Sequence, residues 1–146
     1  MIEIKEISAP EAYAIRKDVL RENIPLTEKM EGDFDEETLH LGLFENGELG
    51  CVATFMPHES FHFKGFQYRL RGMGTHRDHQ HKGFGKAVLT SAEAILTKKG
   101  VDVLWCNARV IALNFYKKSG WSIVGEEFDV HLVGPHYVMF KKLKDA

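Results

Sequence analysis

The sequence predicts an α/β domain with a mixed, mostly antiparallel twisted sheet of about six or seven strands that is flanked by helices. Three observations favour it: short apolar segments recur along the chain, a long amphipathic helix follows a glycine-rich turn, and an apolar strand comes directly after that helix. A strand, a helix and a strand in succession indicate parallel neighbours. Residues 1–146 are predicted to form one domain around one core.

The first element is a strand and the second is a helix. Ile2 and Ile4 alternate with charged residues, which is typical of a half-buried strand. The segment Ser8-Ala-Pro-Glu11 matches a capping box, in which serine and glutamate side chains satisfy the first N–H groups of a helix. The apolar side of that helix is predicted to contain Ala12, Ile15 and Val19.

A long connection and a hairpin are predicted next. Residues 21–37 have no periodic pattern and contain a proline, a glycine and many acids, which predicts a long, mobile connection of the kind that often borders a site. Asn46-Gly47 separates two segments with strand character, 39–44 and 49–55. Because Asn-Gly accepts the positive φ angles of a tight turn, these segments are predicted to pair antiparallel.

The second half begins with a predicted strand at 66–75, which leads through a glycine-rich turn into the long helix. Apolar residues recur in that helix at spacings of three and four from Phe84 to Lys99, and Gly100 is suited to end it. The remaining predicted elements are a buried strand at 101–107, a short helix with Ile111, Phe115 and Tyr116 that ends at Gly120, and strands at 121–128 and 136–143.

The composition excludes several classes of protein. The 19 basic and 21 acidic residues are interspersed and give a formal net charge of −2, so we expect neither nucleic acid nor a membrane as partner. The first residues lack the apolar segment of a signal peptide, and no segment has the roughly 20 apolar residues of a membrane span. We therefore expect a cytoplasmic protein, in which Cys51 and Cys106 are reduced and buried within strands.

Residues 80–86 form the turn before the long helix. Its two glycines lack the Cβ atoms that keep a phosphate from the backbone, and a helix start offers free N–H groups. A Walker A loop is disfavoured because Gln80 occupies its first glycine position and Ala87 follows its lysine. A dinucleotide-binding fingerprint would need a third glycine where Val88 stands. This turn alone is also compatible with a helix start that binds no ligand.

Two motifs carry a resemblance to a known family. Gln80-x-x-Gly83-x-Gly85 resembles the pyrophosphate-binding signature of the GNAT superfamily of N-acetyltransferases, and Ala112-x-x-Phe115-Tyr116-x-x-x-Gly120-Trp121 resembles a second pattern of that superfamily. The chain is most similar to the glyphosate N-acetyltransferase branch, through Leu70-Arg-Gly-Met73, Leu104-Trp-Cys-Asn-Ala-Arg109, Phe115-Tyr-Lys-Lys118 and Gly134-Pro-His136.

The resemblance implies a GNAT fold that binds acetyl-coenzyme A where two parallel strands splay apart. In the glyphosate N-acetyltransferase branch a histidine is the general base, a tyrosine is the general acid and arginines bind the anionic group of the substrate; the matching residues are His136, Tyr116, Arg21, Arg71 and Arg109. The main chain that pairs with the pantetheine arm is implied to be Met73, Gly74 and Thr75. Contacts with the remainder of the cofactor are implied for Gln80, His81, Lys82, Gly83, Phe84, Gly85, Lys86 and Asn114.

These residue types fit the chemistry. An amine with a pKa of about 10 must lose a proton to attack a thioester, and histidine, with an unperturbed pKa of about 6.5, can accept it. A phenol can donate a proton toward the departing thiolate. Arg69 and Arg71 alternate with Leu70 and share a strand face, and arginine holds a carboxylate or phosphonate bidentately. Ordinary structural roles stay open for each of these side chains.

We therefore expect an acetyl-CoA-dependent N-acetyltransferase that transfers the acetyl group directly to a small amine carrying a carboxylate, phosphonate or phosphate. The alternatives are an acetyltransferase for protein amino groups and a non-catalytic acyl-CoA-binding sensor. His76, His79 and His81 invite a metal interpretation, but their loop has no adjacent cysteine and no acidic triad, so no metal is expected. A monomer and a homodimer are both open, because edge strands can pair.

Overall fold

The computed structural model describes residues 1–20, 24 and 26–143. Along the chain, its main elements are β1 (Ile2–Glu6), α1 (Ala9–Ile15), β2 (Leu39–Glu45), β3 (Glu48–Pro57), β4 (Gln67–Thr75), α2 (Phe84–Lys99), β5 (Val103–Arg109), α3 (Leu113–Lys118), β6 (Ser122–Val130) and β7 (Gly134–Lys142). A π-helical segment, Arg16–Leu20, continues α1, and short 3₁₀ segments occur at Arg77–His79 and Val110–Ala112.

The strands form one seven-stranded sheet in the order β1-β2-β3-β4-β5-β7-β6. Every neighbouring pair is antiparallel except β4 and β5, which are parallel because α2 connects them. The predicted fold class is thereby confirmed. The Asn46-Gly47 hairpin also forms as predicted, with positive φ at both residues.

The parallel pair is joined over only a short distance. Its register consists of Gln67 with Val103, Tyr68 with Leu104 and Arg69 with Trp105, and no pairs follow along the remainder of the two strands. On the other side of β4, a bulge opposite Ala53 places Gly72 at a φ of 62°. The two strands therefore diverge beyond Arg69, which opens a gap in the middle of the sheet.

Helices cover both faces of the sheet. On one face the buried residues of α2, Val88, Leu89, Ala92 and Leu96, pack with Cys51 and Ala53 of β3 in the main core. On the other face α1 packs through Ala12 and Ile15 against Val52. The alternation of side chains along β3 explains this division, because successive residues of a strand point to opposite faces.

The local sequence signals account for the helix ends. The Ser8 hydroxyl accepts a hydrogen bond from the Glu11 N–H, and the Glu11 carboxylate accepts one from the Ser8 N–H, so the predicted capping box is present. Gly100 ends α2 with a φ of 92°. Several predicted strand ends differ from the structure by one or two residues. For example, β5 extends to Arg109 rather than to Asn107, because β7 pairs with it to that point. Within the described residues, none of the helices has the length and apolar character to cross a membrane.

Candidate active site

A cavity of about 580 Å³ lies at the gap between the diverging strands. Its walls come from both strands, from the end of the π-helical segment, from α3 and from the turn between β6 and β7. The segment 26–31 closes one side of the cavity. It belongs to the long connection that the sequence predicts to border a site. Four of the predicted catalytic and substrate-binding residues meet here, namely Arg71, Arg109, Tyr116 and His136, and the predicted cofactor contact Met73 lines the same cavity.

Arg71 and Arg109 bring positive charge into this cavity. Arg71 pairs with Thr54 across β3 and β4, so it lies on the face of the sheet that α1 covers. Arg109 is directly opposite His136 in the β5–β7 pair, and its Nη2 donates a hydrogen bond of 3.1 Å to the Leu20 carbonyl. Within the described part of the chain, neither guanidinium forms an ion pair with a carboxylate. Both groups therefore keep donors that an anion can use.

His136 is buried on β7, and its ring orientation defines which nitrogen is basic. Its Nδ1 lies 2.8 Å from the carbonyl oxygen of Gly134. A carbonyl can only accept, so Nδ1 carries the proton of the neutral ring and donates it to this hydrogen bond. The lone pair is then on Nε2, which is the nitrogen that can accept a proton.

Tyr116 lines the cavity from α3 and is buried beside the thiol of Cys106. Burial, together with the contact to Cys106, raises the pKa of Tyr116 well above its ordinary value. Burial likewise raises the pKa of Cys106 to about 12. Both groups are therefore protonated at neutral pH, and the tyrosine hydroxyl is available as a proton donor.

The glycine-rich turn has the features of an anion site. The backbone N–H groups from His81 to Lys86 form no hydrogen bond with any residue that the structure describes. His81 and Gly83 both have positive φ, which turns successive N–H groups toward one side, and the α2 dipole adds positive potential there. No neighbouring atom occupies the space beside Gly83, where a Cβ would project. A pyrophosphate fits this donor set.

The other predicted cofactor contacts lie on β4 and on α3. Met73, Gly74 and Thr75 form the last part of β4, where one backbone edge is paired with β3 and the other edge faces the gap. An extended pantetheine arm could pair with this edge as an added strand does. Asn114 is exposed on α3 and does not line the cavity. Arg21 lies outside the described residues.

Two of the three loop histidines, His76 and His79, lie near carboxylates. His79 is buried, with Nδ1 at 2.9 Å from a Glu45 carboxylate oxygen and Nε2 at 3.4 Å from Glu48. Lys82 reaches the same Glu45 oxygen at 2.8 Å. Within residues 1–20, 24 and 26–143, no three His, Cys, Asp or Glu side chains are placed to hold a metal ion.

A buried polar network beside the cavity was not predicted from the sequence. The Arg16 guanidinium donates two hydrogen bonds to the Asp33 carboxylate, at 2.8 and 2.9 Å, one to Thr54 Oγ1 at 2.6 Å and one to the Glu28 carbonyl at 3.1 Å. His40 contacts Thr54 Oγ1 and the Asp33 carbonyl. The network ties residues 28–33, which include part of the cavity wall, to α1 and the sheet.

One signal could have revealed this network. Arg16 follows Ala12 by four residues, so it lies on the apolar side of the first helix, where a charged residue needs a buried partner. The partner, Asp33, is 17 residues away in a segment without pattern. Sequence spacing therefore identifies the buried charge but not the group that neutralises it.

Comparisons with known proteins agree with this geometry. Residues 2–121 match the model of the acetyltransferase (GNAT) family. The chain is 37% identical over 148 residues to the uncharacterized N-acetyltransferase YitI of Bacillus subtilis (strain 168), covering 100% of this chain and 99% of that protein. The fold is similar to that of Escherichia coli ElaA, with a TM-score of 0.79 and 19% identity over 97% of this chain and 99% of that one. It is also similar to an aminoglycoside 6'-N-acetyltransferase complexed with coenzyme A, with a TM-score of 0.75 and 15% identity over 99% of this chain and 98% of the other.

Proposed function

Because this chain belongs to the acetyltransferase (GNAT) family, whose cosubstrate is acetyl-coenzyme A, we propose that it acetylates the amine of a small substrate that carries a carboxylate, phosphonate or phosphate. Its class as an acyltransferase follows from the family. The anionic substrate class and the residue roles are the proposal, and they agree with the resemblance to the glyphosate N-acetyltransferase branch.

The substrate class rests on one observation: Arg71 and Arg109 line the cavity without forming an ion pair among the described residues, although the Glu31 carboxylate lines the same cavity and acts on Arg71 electrostatically, as Asp33 does. A guanidinium removed from water needs a counter-charge or hydrogen-bond acceptors, since an unpaired buried charge is costly. A carboxylate or phosphonate supplies both, and it accepts bidentate hydrogen bonds from arginine. A lysine-rich peptide would be repelled by the same groups.

The proposed chemistry uses one residue at the attacking amine and another at the departing sulfur. His136 accepts a proton from the amine at Nε2 while the new C–N bond forms, because its Nδ1 proton is engaged by Gly134. Tyr116 donates its hydroxyl proton toward the sulfur as the C–S bond breaks, which leaves a thiol rather than a thiolate. The raised pKa of Tyr116 keeps its hydroxyl protonated at neutral pH, so the hydroxyl can donate a hydrogen bond to the sulfur as negative charge develops there.

The anion preference is tested by measuring coenzyme A release from acetyl-CoA with matched amines. Glycine is compared with glycinamide, and aminomethylphosphonate with methylamine. We expect selective turnover of the anionic members, and Arg71→Gln should reduce that selectivity by about 10- to 100-fold, the value of a charge-assisted hydrogen bond. Equal turnover of the neutral members would refute the anion preference but not the enzyme class.

The proposed base is tested with a matched histidine control. His136→Ala should lower turnover by about 10²- to 10⁴-fold. His131→Ala removes an exposed histidine that does not line the cavity, and it should leave turnover unchanged. Near-normal turnover of the His136 variant over the whole pH range would remove this residue from the mechanism.

A further inference from the structure

The glycine-rich turn before α2 is not held in place by hydrogen bonds of its own N–H groups. Within the part of the chain that the structure describes, the backbone N–H groups from His81 to Lys86 have no hydrogen-bond partner. The turn therefore keeps its donors free, but it lacks the backbone hydrogen bonds that fix a helix or a strand. Its place depends on α2 at one end and on the short 3₁₀ segment Arg77–His79 at the other.

His79 ends that 3₁₀ segment, and its side chain is only 8% exposed. Its Nδ1 lies 2.9 Å from a carboxylate oxygen of Glu45, the last residue of β2. Lys82, within the turn, donates to the same oxygen at 2.8 Å. Hydrogen bonds from Lys82 and His79 lower the pKa of Glu45, so this group is ionised at neutral pH and can only accept. Nδ1 of His79 therefore carries a proton and donates it to Glu45.

The hairpin of β2 and β3 is shaped to receive the His79 ring. A bulge in this strand pair leaves Gly50 as an extra residue of β3, and the Gly50 carbonyl accepts a hydrogen bond of 2.7 Å from the His76 N–H. A Cβ at Gly50 would lie 2.8 Å from His79 Cγ, so the imidazole lies directly against this backbone. The centre of the same ring is 6.1 Å from that of Phe84, the first residue of α2. His79 thus connects the hairpin to the start of the helix.

We propose that His79 and Glu45 are positioning residues, which hold the glycine-rich turn in the conformation whose N–H groups bind the pyrophosphate of acetyl-coenzyme A. This inference rests on the proposed function for its cosubstrate. Neither residue contacts the reacting atoms in this role. A turn that is already in place loses less conformational entropy when it binds, and affinity falls with the fraction of molecules in the binding conformation.

The sign of the effect separates positioning from electrostatics. Glu45 is negative and lies beside an anion site, so a purely electrostatic role would make its removal strengthen binding. If Glu45 acts by holding His79, its removal weakens binding instead. Glu45→Met keeps a side chain of similar length without an oxygen acceptor. Calorimetric titration with coenzyme A, which needs no amine, should show that Kd rises about 10-fold, the lower end for a charge-assisted hydrogen bond, because Glu45 is partly exposed.

Two replacements of His79 test the hydrogen bond itself. His79→Phe keeps a ring beside Phe84 but has no donor, and it should raise Kd for coenzyme A by a similar factor. His79→Asn keeps an N–H donor at the same number of bonds from Cβ as Nδ1, and it should recover part of the affinity. Combining Glu45→Met with His79→Phe should add little to either single change, because both remove one contact. Fully additive losses would refute this contact as the cause.

Two controls and one uncharged perturbation accompany these variants. Asp78→Asn removes a negative charge from the exposed neighbour of His79 and should not weaken coenzyme A binding. Glu48→Gln removes a carboxylate that lies 3.4 Å from His79 Nε2 but is 80% exposed, and it should change Kd less than about 3-fold. Gly50→Ala should weaken binding without any change in charge, because its Cβ would displace the imidazole. Thermal unfolding of each variant separates loss of folding from loss of binding.

Kinetics with an anionic amine that wild type acetylates distinguish positioning from general damage to the site. Glu45→Met and His79→Phe should raise KM for acetyl-CoA about 10-fold and leave kcat and KM for the amine nearly unchanged. S-acetylpantetheine lacks the pyrophosphate, so its kcat/KM should stay at the wild-type value in both variants. An equal loss with S-acetylpantetheine and with acetyl-CoA would refute a role at the pyrophosphate.

The outcomes also separate this inference from the proposed function. If wild type binds coenzyme A and the two variants bind it equally well or better, the positioning role is refuted and the proposed function stands. If the variants lose affinity as expected but no anionic amine is acetylated, the proposed substrate class fails and the positioning role stands. If wild type does not bind coenzyme A, both fail together.

Discussion

Replacing Asp33 by asparagine tests how strongly the buried Arg16–Asp33 pair holds the cavity wall. The two side chains are 0% and 1% exposed, and two hydrogen bonds of 2.8 and 2.9 Å join them. Asparagine keeps the size and one oxygen acceptor but removes the negative charge. The Arg16 guanidinium would then stay in the interior without a counter-charge.

The expected loss follows from this burial. Removing one partner of a buried ion pair costs about 3–5 kcal/mol of unfolding free energy, because the remaining charge is desolvated and uncompensated. For a chain of this size, that loss corresponds to a fall in Tm of roughly 6–20 °C. By contrast, an exposed pair such as Lys5–Glu3 is expected to contribute less than about 1 kcal/mol.

Urea unfolding followed by circular dichroism at neutral pH measures the effect. Asp35→Asn is the matched control, because it makes the same chemical change two residues later on an exposed side chain, and it should lie within about 0.5 kcal/mol of wild type. The double replacement Arg16→Met with Asp33→Leu should cost less than the sum of the single replacements, because it leaves no buried charge. A loss below about 1 kcal/mol for Asp33→Asn would refute the reasoning.

The same variant should affect the site. Met30 donates its backbone N–H to Asp33 at 2.8 Å, and Met30 and Glu31 line the cavity. Loss of the carboxylate should loosen this wall, since the segment has few other buried contacts to restrain it. We expect KM for the amine to rise more than kcat falls, at a temperature where the variant is still folded.

Three further predictions concern Gly72, the two cysteines and the pH dependence of the Asp33 contribution. Gly72→Ala should destabilise the fold by at least about 2 kcal/mol in urea unfolding, because φ is 62° and the new Cβ would lie 2.7 Å from Arg16 Nε; an unchanged midpoint would contradict this. Burial raises the pKa of Cys51, and that of Cys106 to about 12, so iodoacetamide at mildly alkaline pH should alkylate neither thiol in the folded protein and both in concentrated urea, as mass spectrometry can show. Burial acts to raise the pKa of Asp33, but the hydrogen bonds that it accepts from Arg16 and the Met30 N–H prevail and lower it. The stability that this carboxylate contributes is therefore complete above the unfolded pKa of about 3.9 and is lost as pH falls through the folded pKa. The urea midpoint should decline less in this acid range for Asp33→Asn than for wild type, and equal declines would refute the assignment.

Local patterns in the sequence are sufficient for most of the fold. The capping box at Ser8, the Asn46-Gly47 turn and the glycine that ends α2 each act through a few neighbouring backbone groups, so their outcome is determined within one turn of chain. The predicted ends of strands are less accurate, as β5 shows, because the length of a strand depends on the strand that pairs with it.

The sequence by itself determined the order of the elements, the family and the residue types available for acetyl transfer, since these depend on local pattern and motif spacing. Only the tertiary structure decided how the charges are distributed. Arg16 and Arg69 are both arginines next to apolar residues, yet Arg16 forms an ion pair with Asp33 whereas Arg69 lines the cavity and forms no ion pair with any residue that the structure describes. That difference depends on which segments approach each side chain in space, and burial then determines how much each charge costs or can bind.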